Sequence, residues 1–201
     1  MSFESRTVPL PEPAPRQLSH TRTVVYQGYD RDDGLWDIEA TLTDVKAYTY
    51  RMPNEAPMPA GQRIHGLSIR LTVDDALRIH DVATAMDDIP HATCTDAPFN
   101  MHKLKGCQMG RGWRKQVQAL LGGTEGCTHL REMLFNMATA AFQTVPSGQW
   151  HRRDRAGLPD ESWTDKPYFL DQCHTWASHS PTTARIFPMY YQPKAASGKE
   201  G

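Results

Sequence analysis

The first half of the chain alternates apolar and polar residues with the two-residue period of β-strands. Segments with this pattern cover residues 21–29, 34–48, 63–73 and 76–86, and they are rich in β-branched and aromatic residues. Short acidic turn sequences, one of which contains Gly34, join the first strand to the second and the third to the fourth. The pattern predicts about four strands in an antiparallel meander.

After about residue 98 the apolar residues recur at helical spacing instead. Residues 112–123 and 126–145 each carry one apolar stripe, formed by Trp113, Val117, Leu120 and Leu121 in the first segment and by Leu130, Leu134, Met137 and Ala141 in the second. A third helix is predicted over residues 167–180, where Pro181 would stop it. We therefore expect an α+β fold, in which the C-terminal helices pack on one face of the N-terminal sheet.

Proline content and length set the predicted domain boundaries. The start of the chain, "VPLPEPAPR", is typical of an extended arm, and we expect residues 1–18 to be flexible. Residues 19–190 are long enough for a single α+β domain with a substantial core. We expect residues 191–201 to form a flexible tail.

The composition excludes several classes of protein. The net charge is −1 and the pI is about 6.7, so nothing favours binding to nucleic acid. No apolar run is long enough to span a membrane, and the first residues lack the apolar core of a secretory signal. We expect a cytoplasmic protein with no membrane partner, in which the four cysteines are free thiols.

Ionisable residues occur on the apparently buried face of three predicted strands. Asp44 and Lys46 share the parity of Trp36, Ile38 and Leu42. By the same reasoning His65 aligns with the apolar residues of the third strand, and Asp81 aligns with those of the fourth. An unpaired buried charge costs several kcal/mol, so such groups pair, become neutral or line a wet pocket.

Two interpretations of these inward residues remain open. In the first they are structural: Lys46 pairs with Asp44 or Asp81, and His65 is a satisfied core histidine. A β-bulge could also return Asp44 and Lys46 to solvent. In the second interpretation they line a pocket between sheet and helices, where acid, base and cation meet for proton-transfer chemistry.

Metal or thiol chemistry is a separate alternative. The residue types suit it at His91, Cys94, Cys127, His129, Cys173 and His174. Their spacing matches no standard zinc pattern, so we expect no metal and no other cofactor. Cys127 and His129 lie at the start of a predicted helix, where the helix dipole would lower the pKa of a thiol. A thiol or metal protein using these two residues remains an alternative.

Several long motifs resemble the bacterial family of domain of unknown function 2889 (DUF2889). They are "HTR…GYDRDDGLWDIEATLTDVKAY", "RIHGLSIRLTVDDALRIHDVATAM", "PHATC" and "LKGCQMGRGWRKQVQALLGGTEGCTHLREML". The resemblance covers residues 19–145 and continues more weakly to Pro188. Cys107 departs from the pattern, where an apolar residue is usual, which argues against a family-wide role for this thiol.

The resemblance implies a place in the bacterial catabolism of aromatic compounds. A cofactor-independent C–C lyase of the aldehyde-lyase type would suit it, acting on a lignin-derived phenylcoumaran dimer to release formaldehyde and leave a stilbene. In that reaction Asp81 or His65 would be the base and His129 a second acid. Lys46 would hold the phenolate, with Asp44 fixing its amine.

A non-catalytic protein that binds a small molecule or a partner is the main alternative to the lyase. A homodimer is one way to cover the edges that a four-stranded sheet leaves open.

Overall fold

The computed structural model describes residues 10–158, 166–167 and 169–194. It contains four strands: β1 (His20–Asp30), β2 (Trp36–Lys46), β3 (Arg63–Val73) and β4 (Ile79–Asp88). They form one antiparallel sheet in the order β1-β2-β3-β4. The predicted meander is confirmed.

The helices follow the sheet along the chain. They are α1 (Trp113–Leu121), α2 (Thr128–Arg155) and α3 (Pro181–Ile186). A 3₁₀ segment, Ala92–Leu104, makes the crossover from β4, and two shorter 3₁₀ turns lie at Gly123–Glu125 and Pro188–Tyr190. The α+β class is therefore confirmed, with the sheet in the N-terminal half and the helices after it.

The core lies between one face of the sheet, called here the inner face, and helices α1 and α2. From the sheet it buries Trp36, Ile38, Ala40, Leu42, Leu67, Ile69, Leu71 and Val73. From α1 it buries Trp113, Val117 and Leu121, and from α2 it buries Leu130, Leu134, Met137 and Ala141. The indole Nε1 of Trp113 donates to the carbonyl of Leu134 at 2.7 Å, which ties α1 to α2. The predicted apolar stripes are thus the packing surfaces.

Two glycines let α2 approach the sheet closely. A Cβ on Gly28 of β1 would overlap the side chain of Thr144 on α2. A Cβ on Gly148 of α2 would likewise overlap the ring of Trp36 on β2. The two layers therefore meet at positions where one partner has no side chain.

Strand β4 does not keep the predicted parity. Val73 pairs with Ile79, but Thr72 pairs with Asp81, so His80 is an extra residue in β4. Such a bulge reverses the faces of the residues that follow it, here as far as Met86, after which the register shifts again. Val82 and Met86 therefore pack against the core, whereas Asp81 is exposed. The predicted inward position of Asp81 is wrong.

The chain forms two compact units, Met1–Arg152 and Arg153–Gly201. The sheet, α1 and most of α2 belong to the first unit. The prediction of a single domain over residues 19–190 stays a prediction. The predicted flexible arm and tail lie partly outside the described residues, which begin at residue 10 and end at residue 194.

The second unit corrects the third predicted helix. Residue 167 and residues 169–180 are not helical; most of the latter form turns and bends, and Pro181 begins α3 instead of ending a helix. The hydroxyl of Ser180 accepts a hydrogen bond from the backbone N–H of Thr183 at 3.1 Å, which caps the new helix. Proline suits this position because the first helical N–H needs no partner within the helix.

No helix among the described residues is long and apolar enough to cross a membrane.

Candidate functional site

One carboxylate, that of Asp44, is enclosed at the end of β2. Its side chain is only 3% exposed. The antiparallel register places Arg22 of β1 opposite it on one side and His65 of β3 opposite it on the other. The meander thus brings the start of β1, the end of β2 and the start of β3 into one row at the same end of the sheet.

Three side chains bind this carboxylate. Arg22 donates from Nε to Oδ1 at 2.8 Å and from Nη2 to Oδ2 at 2.6 Å. His20 Nε2 lies 2.8 Å from Oδ1, and His65 Nδ1 lies 3.0 Å from Oδ2. Both oxygens therefore have two partners each, which is the usual limit for a carboxylate.

These contacts keep the carboxylate ionised. Burial favours the neutral acid, but the hydrogen bonds from Arg22, His20 and His65 and the charge of Arg22 hold the pKa of Asp44 well below its usual range. The bond to Asp44 in turn raises the pKa of Arg22, against the opposing effect of burial. Because an ionised carboxylate only accepts, the Nδ1 atom of His65 carries the proton that they share.

The first turn of α2 places a second imidazole over His65. The ring centroids of His65 and His129 are 4.1 Å apart, with the planes tilted by 47°. His129 Nδ1 lies 3.7 Å from the Sγ atom of Cys127, just before the helix. Burial raises the pKa of the Cys127 thiol, but the contact with His129 and backbone N–H groups of the helix start lower it by more.

We name this group the Asp44 cluster: His20, Arg22, Asp44, His65, Cys127 and His129. The sequence predicted three of its members as candidate site residues, namely Asp44, His65 and His129. It also predicted Cys127 as part of an alternative thiol site. The cluster joins these two predictions, because His129 contacts both His65 and Cys127.

Two predicted site residues are not members of the Asp44 cluster. Asp81 is on the opposite face, its side chain 61% exposed, and it pairs with Lys105 at 2.6 Å. The hydrogen bond from Lys105 lowers the pKa of Asp81. Lys46 is half-buried and makes no ion pair with any described residue. The predicted pairing of Lys46 with Asp44 or Asp81 is therefore wrong, since Arg22 and Lys105 take those places.

Arg22 and His20 were missed, although a signal for them was present. In β1 they have the same parity as Val24 and Tyr26, which pack against the core. By parity with these two residues, both side chains are expected on the inner face. Their pairing with Asp44 follows only from the register between β1 and β2.

The cluster also has the composition of a cation site. One ligand atom each from Asp44, His65 and His129 lies within 4.8 Å of the other two. Chemically the cluster therefore offers an oriented imidazole, a second imidazole beside it, a thiol and a charge-balanced carboxylate. Such an arrangement can move protons or hold a metal ion.

Comparison with known proteins identifies the family of the chain from its sequence. Neither the curated proteins nor the solved structures contain a match to it. The family described as "Protein of unknown function (DUF2889)" matches residues 20–143, a range that includes every member of the Asp44 cluster. With well over half of its length matched, the chain belongs to the DUF2889 family.

Proposed function

We propose that this protein is a cofactor-independent lyase that acts on an aromatic small molecule by acid–base chemistry at the Asp44 cluster. The observation that carries the proposal is the contact between two imidazoles, one of which is fixed by a buried carboxylate. The class of substrate comes from the family resemblance, with a lignin-derived phenylcoumaran alcohol as the specific candidate.

His65 has the features of a general base. Asp44 accepts the proton on Nδ1 at 3.0 Å, and this fixes both the tautomer and the orientation of the ring. In the neutral ring, Nε2 then carries a lone pair that can accept a proton from a substrate hydroxyl. Arg22 keeps Asp44 ionised, so the carboxylate stays an acceptor and does not compete for that proton.

His129 is placed to act as the acid. Imidazole can release a proton near neutral pH, and the Cys127 sulfur at 3.7 Å is a partner for its Nδ1. Two imidazoles in contact repel each other when both are charged. The contact therefore disfavours the state in which both rings are charged, and a base and an acid require one neutral and one protonated ring.

The reaction needs no redox partner. The base takes the proton of the CH₂OH group, and the bond from that carbon to the ring carbon breaks to release formaldehyde. Its electrons form the new double bond, the adjacent C–O bond of the ring ether breaks, and the phenoxide takes up a proton. One proton leaves and one is delivered, so the histidine pair needs only to exchange a proton with water before the next turnover.

In this proposal Arg22 takes the role that the sequence predicted for Lys46. Two of its five N–H groups bind Asp44, and its side chain is 39% exposed. Its other N–H groups can receive a phenolate oxygen from the solvent side. In this proposal Arg22 thus stabilises the leaving oxygen and also holds Asp44.

The test is formaldehyde release from a panel of phenylcoumaran alcohols by purified protein treated with a chelator. We expect turnover by the wild-type chain and a loss of at least about 100-fold in kcat/KM for His65→Gln and for His129→Gln. The matched control is His80→Gln, because His80 also binds a carboxylate, Asp74 at 3.0 Å, but lies exposed, with no second imidazole beside it among the described residues. It should leave the rate unchanged.

Two results would contradict the proposal. If no member of the panel is cleaved, the lyase proposal is refuted, and a binding protein becomes the better interpretation. Ligand binding to the same cluster would then be measured. If turnover occurs but both histidine variants, shown to be folded by circular dichroism, keep full activity, the assignment of the base and the acid fails.

A further inference from the structure

We propose that Asp44, His65 and His129 form a binding site for one divalent transition-metal ion of the Zn²⁺ or Co²⁺ class. The three residues come from β2, β3 and α2, and one ligand atom of each lies within 4.8 Å of the others. The proposal goes beyond the lyase and does not depend on it, because binding is measured without substrate.

The spacing of the donors is close to that of a metal site. Asp44 Oδ2 and His65 Nδ1 are 3.0 Å apart. Two neighbouring ligands of one ion, each at about 2.0–2.2 Å from it, have a similar separation. The ion would take the place of the proton that these two atoms share. His129 supplies the third ligand from a ring whose centroid is 4.1 Å from that of His65.

The chemistry of the donors selects the class of ion. Two imidazoles and one carboxylate suit zinc and its neighbours in the first transition row, whereas calcium and magnesium require mainly oxygen ligands. The thiol of Cys127, 3.7 Å from His129 Nδ1, would then orient His129 from outside the ligand set.

Arg22 and His20 limit the strength of the site. Both already bind the carboxylate of Asp44, and Arg22 adds a positive charge beside the ion. The ion therefore competes for Oδ2 rather than entering an open cage. We expect binding that a chelator reverses readily, in contrast to a structural zinc site on which folding depends.

The experiment is equilibrium dialysis of the metal-free, full-length chain against Co²⁺, followed by Zn²⁺. We expect one ion per chain for the wild type. Affinity should fall at least about tenfold in His65→Asn and in His129→Asn, since changes to groups that merely support a ligand already cost this much. His80→Asn is the matched control, because its His–Asp pair has the same 3.0 Å contact but, in the part of the chain that the structure describes, no second imidazole.

The proposal is overturned if the wild-type chain binds no stoichiometric ion. It is also overturned if His80→Asn weakens binding as much as the two site variants do. Should a site variant fail to fold, nuclear magnetic resonance of the wild-type chain decides. Co²⁺ must then shift the ring signals of His65 and His129 and leave those of His80 in place. Because lyase activity is measured without metal, failure of either proposal is distinguishable from failure of the other.

Discussion

Each face of the sheet carries a carboxylate that several side chains bind. The two carboxylates differ in their access to water. On the outer face, Asp37 of β2 accepts from Arg31 at 3.1 Å and from the hydroxyl of Thr72 at 2.6 Å. On the inner face of the same strand, Asp44 accepts from Arg22 and two histidines. The Asp37 side chain is 16% exposed, and that of Asp44 is 3% exposed.

The comparison shows that the number of partners does not decide what a network does. Water can replace a lost partner of Asp37, so its bonds are exchangeable and individually weak. No such substitute reaches Asp44, so every partner there is needed. Among these partners, the inner network also includes histidine, which can change its protonation near neutral pH, whereas the outer one uses arginine and threonine.

The largest difference should appear on removing each carboxylate charge. We expect Asp44→Asn to lower the free energy of unfolding by about 3 kcal/mol, at the lower end for buried pairs because Arg22 keeps contact with solvent. Asp37→Asn, the control on the same strand, should cost about 1 kcal/mol. Urea denaturation measures both. Equal losses would mean that burial does not distinguish the two networks.

Lowering the pH should reduce the stability that the inner network contributes. Although burial opposes it, binding to Arg22, His20 and His65 lowers the pKa of Asp44 in the folded chain. Its stabilising effect is therefore complete above the unfolded value of about 4 and is lost as the pH falls through the folded value. Unfolding measured between about pH 6 and pH 3 should be more pH-dependent in the wild type than in Asp44→Asn. Parallel curves would contradict the role given to this carboxylate.

The smallest effect should follow from changing Asp81. It lies on the outer face, 61% exposed, and pairs only with the exposed Lys105 among the described residues. Asp81→Asn should leave the urea midpoint and any formaldehyde release unchanged within error. A clear loss of activity would support the inward position that the sequence predicted for Asp81. It would contradict the bulge assigned at His80.

Much of the fold could be predicted from the sequence, because the buried residues of β2 and β3 follow the two-residue alternation. The alternation placed Asp44 and His65 inward, and the helical period placed His129 at the start of α2. The buried face of strand β4 could not be predicted in the same way. Its later residues include Ala83 and Ala85, which are small enough for either face, so nothing in the pattern revealed the extra residue at His80.

The partners of Asp44 could not be assigned for a different reason. Parity gives the face of a residue, but its neighbour depends on register, and register is set by turns and bulges that span several residues. Lys46 was the cation close in sequence, whereas Arg22 is the cation directly across the strand pair. Proline at position 181 was likewise ambiguous, since the same residue can end one helix or begin another.

The glycine contacts of α2 have a consequence for the distance between the two imidazoles. One ring is mounted on the sheet and the other on the helix, and at Gly28 and Gly148 the backbone of one layer meets a side chain of the other, that of Thr144 and that of Trp36. Because a glycine has no side chain that could move aside, a single side chain sets the spacing of the layers at each of these points, and the separation of the histidines depends on these surfaces farther along the same helix. A methyl group added at either glycine would therefore shift α2 relative to the sheet. That shift would change the distance between His65 and His129, although the methyl group touches neither ring.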